Sequence, residues 1–357
     1  MMMKLLSQGT DKSNVFAVVS LLGRGVHADA IERLKIPLYT FNLKSPLGIL
    51  HFLFVAPYLA MRFKADITQG WMYHGNLAAV YLNFFAKRNS KLAWNIRVSL
   101  EHYNRYGPFK KMSVILGAVL SNLPDVIINN SKMSIEEHTR KGYVNGSVKY
   151  IPNGFDLNKF TPSKRSREIV RKELGLLPGQ FVFGFFGHYG SKKGFNFLFE
   201  ATSLLISMGH DVQLLLAGRG VDEGNRGLVD YVSKSNLEKH VLLLGEVDRI
   251  EEYYPALDGY VQPSLTEGFS NSIGEACCCA VPCVATDVGD AKLILENIGS
   301  VVPAGSGDAL MMAMLHLLQT ERVQREAMGR RAREKFRAKF ELGKVVKMYQ
   351  KVYRETT

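Results

Sequence analysis

The feature that most restricts the fold of this sequence is a repeated alternation between short β-branched or aromatic runs and longer amphipathic stretches. This alternation is typical of β-α-β units, in which a helix connects each strand to the next strand of a parallel sheet. In the first half we predict strands at 15–21, 37–41, 66–69, 92–97, 125–128 and 148–151. In the second half we predict strands at 181–186, 212–217, 241–244, 259–262 and 283–285, with helices beginning near Phe195, Leu228, Ile250 and Asn271. The fold class is therefore α/β, with doubly wound parallel sheets.

The length of 357 residues exceeds what one hydrophobic core usually supports, so we expect two domains. A polar, proline-containing stretch separates an N-terminal domain, 1–160, from a C-terminal domain, 161–340. The last segment, 341–357, is expected to be a helix that packs back on the N-terminal domain. The sequence opens with MMMKLLSQ, which predicts a helix, whereas doubly wound domains usually open with a strand. The first strand of the N-terminal domain is thus expected to be missing, either because the recorded start is downstream of the true one or because the sheet is incomplete.

The net charge of +12 is concentrated in the first half, because residues 1–160 hold 20 Lys and Arg against 9 Asp and Glu. Such a domain suits an anionic partner, with a solvated basic surface as the alternative. A phospholipid surface and a pyrophosphate-linked lipid acceptor are the candidates. No recognition helix or RNA-binding motif accompanies the charge, so we expect no nucleic-acid partner.

The apolar stretch at 48–61 is too short for a membrane span and contains His51 and Pro57. We interpret it as a buried helix, with a helix that dips into a membrane as the alternative. Because the first residues lack a sustained apolar segment and a cleavage site, we expect no export and a cytoplasmic protein.

All four cysteines lie close together, at Cys277, Cys278, Cys279 and Cys283. Three consecutive cysteines on a helix point in different directions and cannot jointly bind zinc, so we expect small buried residues in a reducing compartment. The sequence has no Asp-x-Asp pair at a strand end and no histidine cluster with metal spacing. We therefore expect neither a metal nor a cofactor.

The strongest chemical signal runs from 261 to 290, VQPSLTEGFSNSIGEACCCAVPCVATDVGD, in which Glu267 and Glu275 are eight positions apart. Between them lie the residues expected at the entry to a helix, Gly268, Phe269, Ser270 and Asn271. A helix N-terminus offers unpaired N–H groups and a partial positive charge, which together bind phosphate, and Gly268 allows close backbone approach. Glu267 can reach a sugar hydroxyl, and Glu275 can accept two hydrogen bonds from a ribose diol.

With PSLTEGF before it and PCVATDVGD after it, this stretch resembles the donor-binding Glu-x7-Glu region of the family 4 retaining glycosyltransferases, within the glycosyl transferases group 1 superfamily. The resemblance extends to IPNGFD at 151–156, to the strand and helix at 182–201 and to LLLAGRG at 214–220, and it covers nearly all of 60–350. It implies the GT-B fold, in which two Rossmann-like domains face a central cleft.

The resemblance also implies roles for single residues in the donor site. Glu275 would hold the ribose, Glu267 would contact the donor sugar, and Lys193 would neutralise the leaving diphosphate. The family usually has an arginine after the glycine that ends the strand before Lys193, but here Gly187 is followed by His188. Since histidine is fully charged only when protonated, this part of the phosphate site is expected to be weaker, or another arginine serves there.

In the first domain, QGWMYHGN at 69–76 closes a predicted strand and opens a helix, a position where open α/β sheets contact ligands. It resembles a segment of the same family, and AWNIRVS at 93–99 resembles the strand end that follows. His74 and Arg97 are therefore candidates for the wall that meets the transferred sugar and the acceptor. Many relatives have a histidine after the equivalent arginine, whereas this sequence has Val98.

Together with these features, the resemblance implies a retaining, metal-independent glycosyltransferase. It would move a hexosyl-type sugar from a nucleoside-diphosphate sugar to a glycan or lipid-linked acceptor in cell-surface polysaccharide synthesis, such as that of capsule or lipopolysaccharide. The basic first domain suggests a peripheral position on the inner face of the plasma membrane. An inactive nucleotide-sugar-binding protein of the same fold and a nucleotide-sugar epimerase remain the alternatives.

Overall fold

The computed structural model describes residues 1–8, 15–101, 103–144 and 146–357. The chain divides into two compact units. Unit 1 consists of Met1–Gly154 and Leu342–Thr357, and unit 2 consists of Phe155–Glu341. Each unit has its own parallel strands and its own hydrophobic core.

The elements follow the order expected for β-α-β units. Up to the end of the first part of unit 1 they are α1 (Met2–Gln8), β1 (Val18–Ser20), α2 (Ala28–Arg33), β2 (Leu38–Thr40), α3 (Pro46–Phe63), β3 (Ile67–Trp71), α4 (Met72–Phe84), β4 (Lys91–Ile96), α5 (Pro108–Val119), β5 (Val126–Asn129), α6 (Lys132–Arg140) and β6 (Val148–Tyr150). Unit 2 contains α7 (Lys164–Glu173), β7 (Phe181–Phe186), α8 (Phe195–Ser207), β8 (Val212–Ala217), α9 (Arg226–Lys234), β9 (Val241–Leu243), β10 (Gly259–Gln262), α10 (Asn271–Cys278), β11 (Cys283–Thr286), α11 (Ala291–Leu295), β12 (Gly299–Val302), α12 (Gly307–Gln319) and α13 (Arg322–Lys339). The chain returns to unit 1 with α14 (Leu342–Thr356).

The strands of unit 1 form two parallel sheets, β1-β2 and β3-β4-β5-β6. Among the strands that the structure describes, β1 pairs only with β2, and β3 pairs only with β4. A cavity of about 1050 Å³ is lined by residues of both β1 and β3, including Val19 and Thr68. The break between the two sheets is consistent with an incomplete first sheet.

The four-stranded sheet is covered on both faces, because alternate residues of β4 point to opposite sides. Trp94, with Leu92 and Ile96 on the same face of the strand, packs with Val114 of α5 on one side of the sheet. Ala93 packs with Val345 and Tyr349 of α14 on the other side, where Leu5 of α1 joins the same core. The apolar residues of α14 recur at three- and four-residue intervals, which places them on the one helix face that contacts the sheet.

The prediction of a buried helix at 48–61 is wrong, because α3 is largely exposed. It packs against α4 through a narrow strip, Phe52, Ala56 and Leu59. Within the part of the chain that the structure describes, α3 is the one helix long and apolar enough to cross a membrane, and 22% of it is buried. Length and hydropathy did not reveal this exposure, since apolar residues occupy both the buried and the open side of the helix.

Unit 2 is built on one parallel sheet with the strand order β12-β11-β10-β7-β8-β9. The sequence analysis missed β12, a four-residue strand that begins with a glycine and has no fully buried residue. The helix predicted near Ile250 is wrong, because two 3₁₀ turns occupy this segment, at Ile250–Glu252 and Tyr254–Ala256. Pro255 lies in the second turn, and its missing N–H disfavours a continuous α-helix.

The chain reverses direction within this sheet. It proceeds from β7 outward through β8 to β9, and it then returns to the other side of β7 and continues from β10 to β12. The carboxyl ends of β7 and β10 are therefore neighbours at the topological switch point, where open α/β sheets bind their ligands. The four cysteines are buried in α10, at its C-terminal cap and in β11, and they are not in disulfides.

Candidate functional site

The loops after β7 and β10 approach each other closely at the switch point. Lys193 lies in a 3₁₀ turn after β7, and Glu267 lies in the loop after β10. Gly194, which follows Lys193 and has φ of 67°, lies against the other loop, because a Cβ at this position would be 1.9 Å from the carbonyl oxygen of Pro263. The glycine thus allows contact between two loops that carry candidate catalytic side chains.

Lys193 and Glu267 form an ion pair, with 2.5 Å between Nζ and Oε1. The hydroxyl of Ser264 donates a second hydrogen bond to the same carboxylate oxygen, at 2.9 Å. The side chains of Lys193 and Glu267 are 19% and 17% exposed, so they are sheltered from solvent without being closed off. Opposite charges held in this way restrict each other's conformations and present an ammonium group at the end of β7.

We expect Gly194→Ala to destabilise unit 2 by about 2 to 4 kcal/mol, because it adds left-handed backbone strain and a clash with a backbone carbonyl. The matched control is Gly179→Ala, since Gly179 has φ of 83° but no atom within 4 Å of its hypothetical Cβ. Denaturant unfolding of both variants isolates the clash. Equal losses of stability would show that the close approach to Pro263 has no energetic cost.

The N-terminus of α10 is fixed by side-chain hydrogen bonds. Ser270 caps the helix by accepting from the N–H of Ile273 at 3.3 Å, and its hydroxyl donates to Oε1 of Gln262 at 2.5 Å. The ring of Phe269 packs in the core with Phe155 and Phe340, so its side chain is not directed at a ligand. Of the sequence-predicted residues in this turn, Phe269 can therefore contribute only backbone groups, and Asn271 is exposed.

Glu275 lies about one turn into α10 and is half-buried. The phenol of Tyr254 donates a hydrogen bond to its Oε2 at 2.8 Å. Burial, with the nearby carboxylate as the second cause, raises the pKa of Tyr254 well above its usual value, so the phenol stays protonated and remains a donor. This contact orients the carboxylate that the sequence assigns to a ribose diol.

His188 follows Gly187 at the end of β7 and is exposed. Partial desolvation of the ring lowers its pKa from the ordinary value, Lys193 and Arg219 lower it further, and Glu267 opposes them. The lowered pKa favours the neutral imidazole. The backbone brings Arg219 into this group, because the carbonyl of Arg219 accepts from the N–H of Tyr189 at 2.9 Å.

The sequence analysis did not assign roles to Arg219, Ser264 or Tyr254. Arg219 carried a signal, since it stands between two glycines directly after β8, the neighbour of β7. The other two carried none, because their importance depends on contacts with residues distant in the sequence. Among the side chains that the structure describes, no group of three or more His, Cys, Asp or Glu is placed to hold a metal ion.

The candidate residues of unit 1 lie in two different surroundings. His74 is exposed at the start of α4 and lines the cavity beside β1 and β3. Arg97 follows β4, donates to the hydroxyl of Tyr349 at 3.1 Å and contacts Asn153. Burial lowers the pKa of Arg97, and Tyr349 opposes this effect.

Trp71 connects these two surroundings within unit 1. It lines the cavity with His74, and the guanidinium carbon of Arg97 lies 5.8 Å from the centre of its ring. The described contacts do not bring His74 and Arg97 into one hydrogen-bonded cluster. The structure thus groups Lys193, His188 and Glu267 more tightly than it groups the two unit 1 candidates.

Part of the chain is similar to known glycosyltransferases. Residues 180–320 match the family model described as "Glycosyl transferases group 1". The chain is 32% identical over 152 residues to the UDP-Gal:alpha-D-GlcNAc-diphosphoundecaprenol alpha-1,3-galactosyltransferase of Escherichia coli, covering 42% of this chain and 39% of that protein. It is 31% identical over 170 residues to the lipopolysaccharide core biosynthesis mannosyltransferase LpsB of Rhizobium meliloti, covering 46% and 48%. The matched region thus spans about half the length, or less, of these curated relatives.

The fold has well-matched counterparts among solved structures. HepE from Anabaena, crystallised with UDP and glucose, superposes with a TM-score of 0.85 at 20% identity, covering 99% of this chain and 95% of that one. Identity at this level shows the fold alone. Residues 180–320 are therefore similar to the glycosyl transferases group 1 family, and the chain has the GT-B fold.

Proposed function

We propose that this chain transfers a hexosyl-type sugar from a nucleoside-diphosphate sugar to a glycan or lipid-linked acceptor, with retention of the anomeric configuration and without a metal ion. The observation that carries the proposal is the Lys193–Glu267 ion pair at the switch point of the unit 2 sheet. The names of the curated relatives add support, since they include a galactosyltransferase and a mannosyltransferase.

In the proposed reaction the bond between the anomeric carbon and the diphosphate oxygen breaks, and a bond to the acceptor oxygen forms on the same face of the sugar. The leaving phosphate takes the proton of the acceptor hydroxyl, so no protein nucleophile is required. Lys193 and the N-terminus of α10 stabilise the negative charge that develops on the diphosphate. Glu267 contacts the sugar, and Glu275 holds the ribose. Gly187, Gly268 and Ser270 shape the backbone around the phosphates.

The acceptor side is assigned to unit 1, with His74 and Arg97 as the residues that meet the transferred sugar and the acceptor. The basic charge of this unit suits an acceptor carried on a pyrophosphate lipid and a peripheral position on an anionic membrane. We place the protein in the cytoplasm, in cell-surface polysaccharide synthesis.

A thermal-shift screen of nucleotide sugars, followed by NMR of the anomeric centre of the product in the presence of a chelator, tests this function. We expect one donor class to stabilise the protein and the product to keep the donor's anomeric configuration. Binding without transfer or donor hydrolysis would indicate an inactive binding protein. A changed sugar formed without any acceptor would indicate an epimerase, and an inverted product would contradict retention.

The lowered pKa of His188 predicts a pH dependence of donor binding. A bound diphosphate favours the protonated imidazole, so binding takes up a proton, and affinity is expected to rise as the pH falls through the pKa range of this histidine. His188→Arg is expected to tighten donor binding about tenfold near pH 8 and to remove this dependence. Calorimetric titrations in buffers of different ionisation enthalpy measure both effects. If the variant kept the pH profile of the wild type, His188 would not contact the bound diphosphate.

A further inference from the structure

Helix α3 carries a row of apolar side chains on its open side. Leu47, Leu50, Phe54, Tyr58 and Met61 recur at intervals of three and four residues, which places them along one face. Each of them is more than half exposed, and Phe54 reaches 77%. Soluble proteins rarely expose such a row of apolar side chains to water, so this face is suited to an apolar environment.

Helix α5 repeats the pattern. Phe109, Met112, Leu116 and Val119 follow the same spacing, and Phe109 is 87% exposed. The opposite side of α5 is already satisfied, because Val114 packs in the core against the sheet. The exposed row of α5 is therefore not needed to pack the helix against the sheet.

Helix α4 links the two helices, because it packs against both α3 and α5. At the end of α4, Phe84 is 84% exposed. We define the apolar face of unit 1 as the exposed rows of α3 and α5 together with Phe84.

The charge around this face indicates its partner. Residues 44–119, which contain both helices, hold ten Lys and Arg but only two Asp and Glu. Exposed cations lie at or near the ends of the two helices, including Lys44, Arg62 and Arg105. Apolar side chains bordered by basic ones match the interface of an anionic bilayer, where acyl chains meet negative headgroups.

We propose that the apolar face of unit 1 is a membrane-docking surface, on which α3 and α5 lie in the headgroup region of an anionic lipid bilayer and insert their exposed apolar rows. The proposal deepens the function proposed above, because it fixes which side of unit 1 meets the lipid that carries the acceptor. Helix α3 lies along the bilayer and does not cross it, since Phe52, Ala56 and Leu59 hold it against α4.

Flotation of the full chain with lipid vesicles tests the proposal. The probes are vesicles of phosphatidylglycerol mixed with phosphatidylethanolamine, compared with vesicles of phosphatidylcholine alone. We expect binding to the anionic vesicles that weakens with added salt. Leu50→Ser with Phe54→Ser on α3, and Phe109→Ser with Val119→Ser on α5, are each expected to weaken binding at least about tenfold. Reversing Arg62 and Arg105 to glutamate should weaken it further.

The matched control is Met312→Ser with Val323→Ser, which alters exposed apolar residues of unit 2 that are 60% and 70% exposed. This control should bind vesicles like the wild type, and circular dichroism checks that every variant is folded. Wild-type protein that ignores the anionic vesicles, or α3 and α5 variants that bind unchanged, would overturn the proposal. Protein that resists extraction by high salt and alkaline carbonate would show that α3 spans the bilayer. Donor binding, measured separately by thermal shift, tests the proposed transferase function independently.

Discussion

Glu275→Ala is expected to abolish donor binding at accessible concentrations, with a loss of about 3 kcal/mol or more, equivalent to at least about a hundredfold in Kd. The carboxylate is half-buried and oriented by the Tyr254 phenol at 2.8 Å, so it is prepared to accept two charge-assisted hydrogen bonds from a ribose diol. Its removal leaves both ribose hydroxyls and the buried phenol without their partner. Isothermal titration with the nucleoside diphosphate of the donor measures the change.

Two milder variants distinguish the charge of Glu275 from its position. Glu275→Gln keeps the shape and one acceptor, and it is expected to lose about tenfold in affinity. Tyr254→Phe removes only the orienting hydrogen bond and keeps the ring contacts with Phe160, Phe186 and Tyr260. A loss of about fivefold is expected for it. Donor affinity that survives Glu275→Ala would remove this residue from the ribose site.

The central strands of the unit 2 sheet were predictable because they are buried on both faces. The strands at 181–186, 212–217 and 259–262 have the bounds that the sequence predicts, since continuous apolar runs leave little choice of register. The prediction of secondary structure failed in two segments where the local sequence pattern does not reflect how the residues are buried. The strand at 299–302 is too short and too exposed to stand out, and the turns near Pro255 have helical composition without a continuous helix.

The candidate site was predictable from one continuous motif and from the family resemblance, which added Lys193 in a second segment. Glu267, Glu275 and the turn between them form a single motif that the structure places at the switch point of the sheet. The contacts of Tyr254 with Glu275 and of Ser264 with Glu267 depend on side-chain geometry, which no spacing in the sequence encodes. Arg219 received no role from the sequence, although its charge lowers the pKa of His188.

The open face of α3 shows a second limit of the sequence. Periodicity identifies which residues share a helix side, but it does not tell which side the rest of the chain covers. Both sides of α3 are apolar, so the strip formed by Phe52, Ala56 and Leu59 and the row that includes Phe54 look alike in the sequence. Only the packing of α4 against α3 distinguishes a buried strip from an open one.

Lys193→Ala is expected to lower kcat by about a hundredfold to a thousandfold, or about 3 to 4 kcal/mol of barrier, with a much smaller effect on binding of the donor's nucleoside. The ammonium would act on charge that grows on the leaving diphosphate, so its contribution is larger in the transition state than in the ground state. Its loss also leaves Glu267, which still accepts a hydrogen bond from Ser264, as an uncompensated negative charge beside that diphosphate.

Steady-state kinetics of three further variants separate these two effects. Lys193→Ala with Glu267→Gln removes the stranded charge, so a partial recovery of kcat relative to Lys193→Ala would measure its share. Lys193→Arg keeps a cation but changes its shape, and it should retain more activity than alanine. Lys234→Ala alters an exposed lysine on α9 and should match the wild type. If Lys193→Ala raised KM but left kcat unchanged, the lysine would serve donor binding alone. The charge that develops on the leaving group would then have to be stabilised by the helix N-terminus at Asn271 and by Arg219, a further cation near His188.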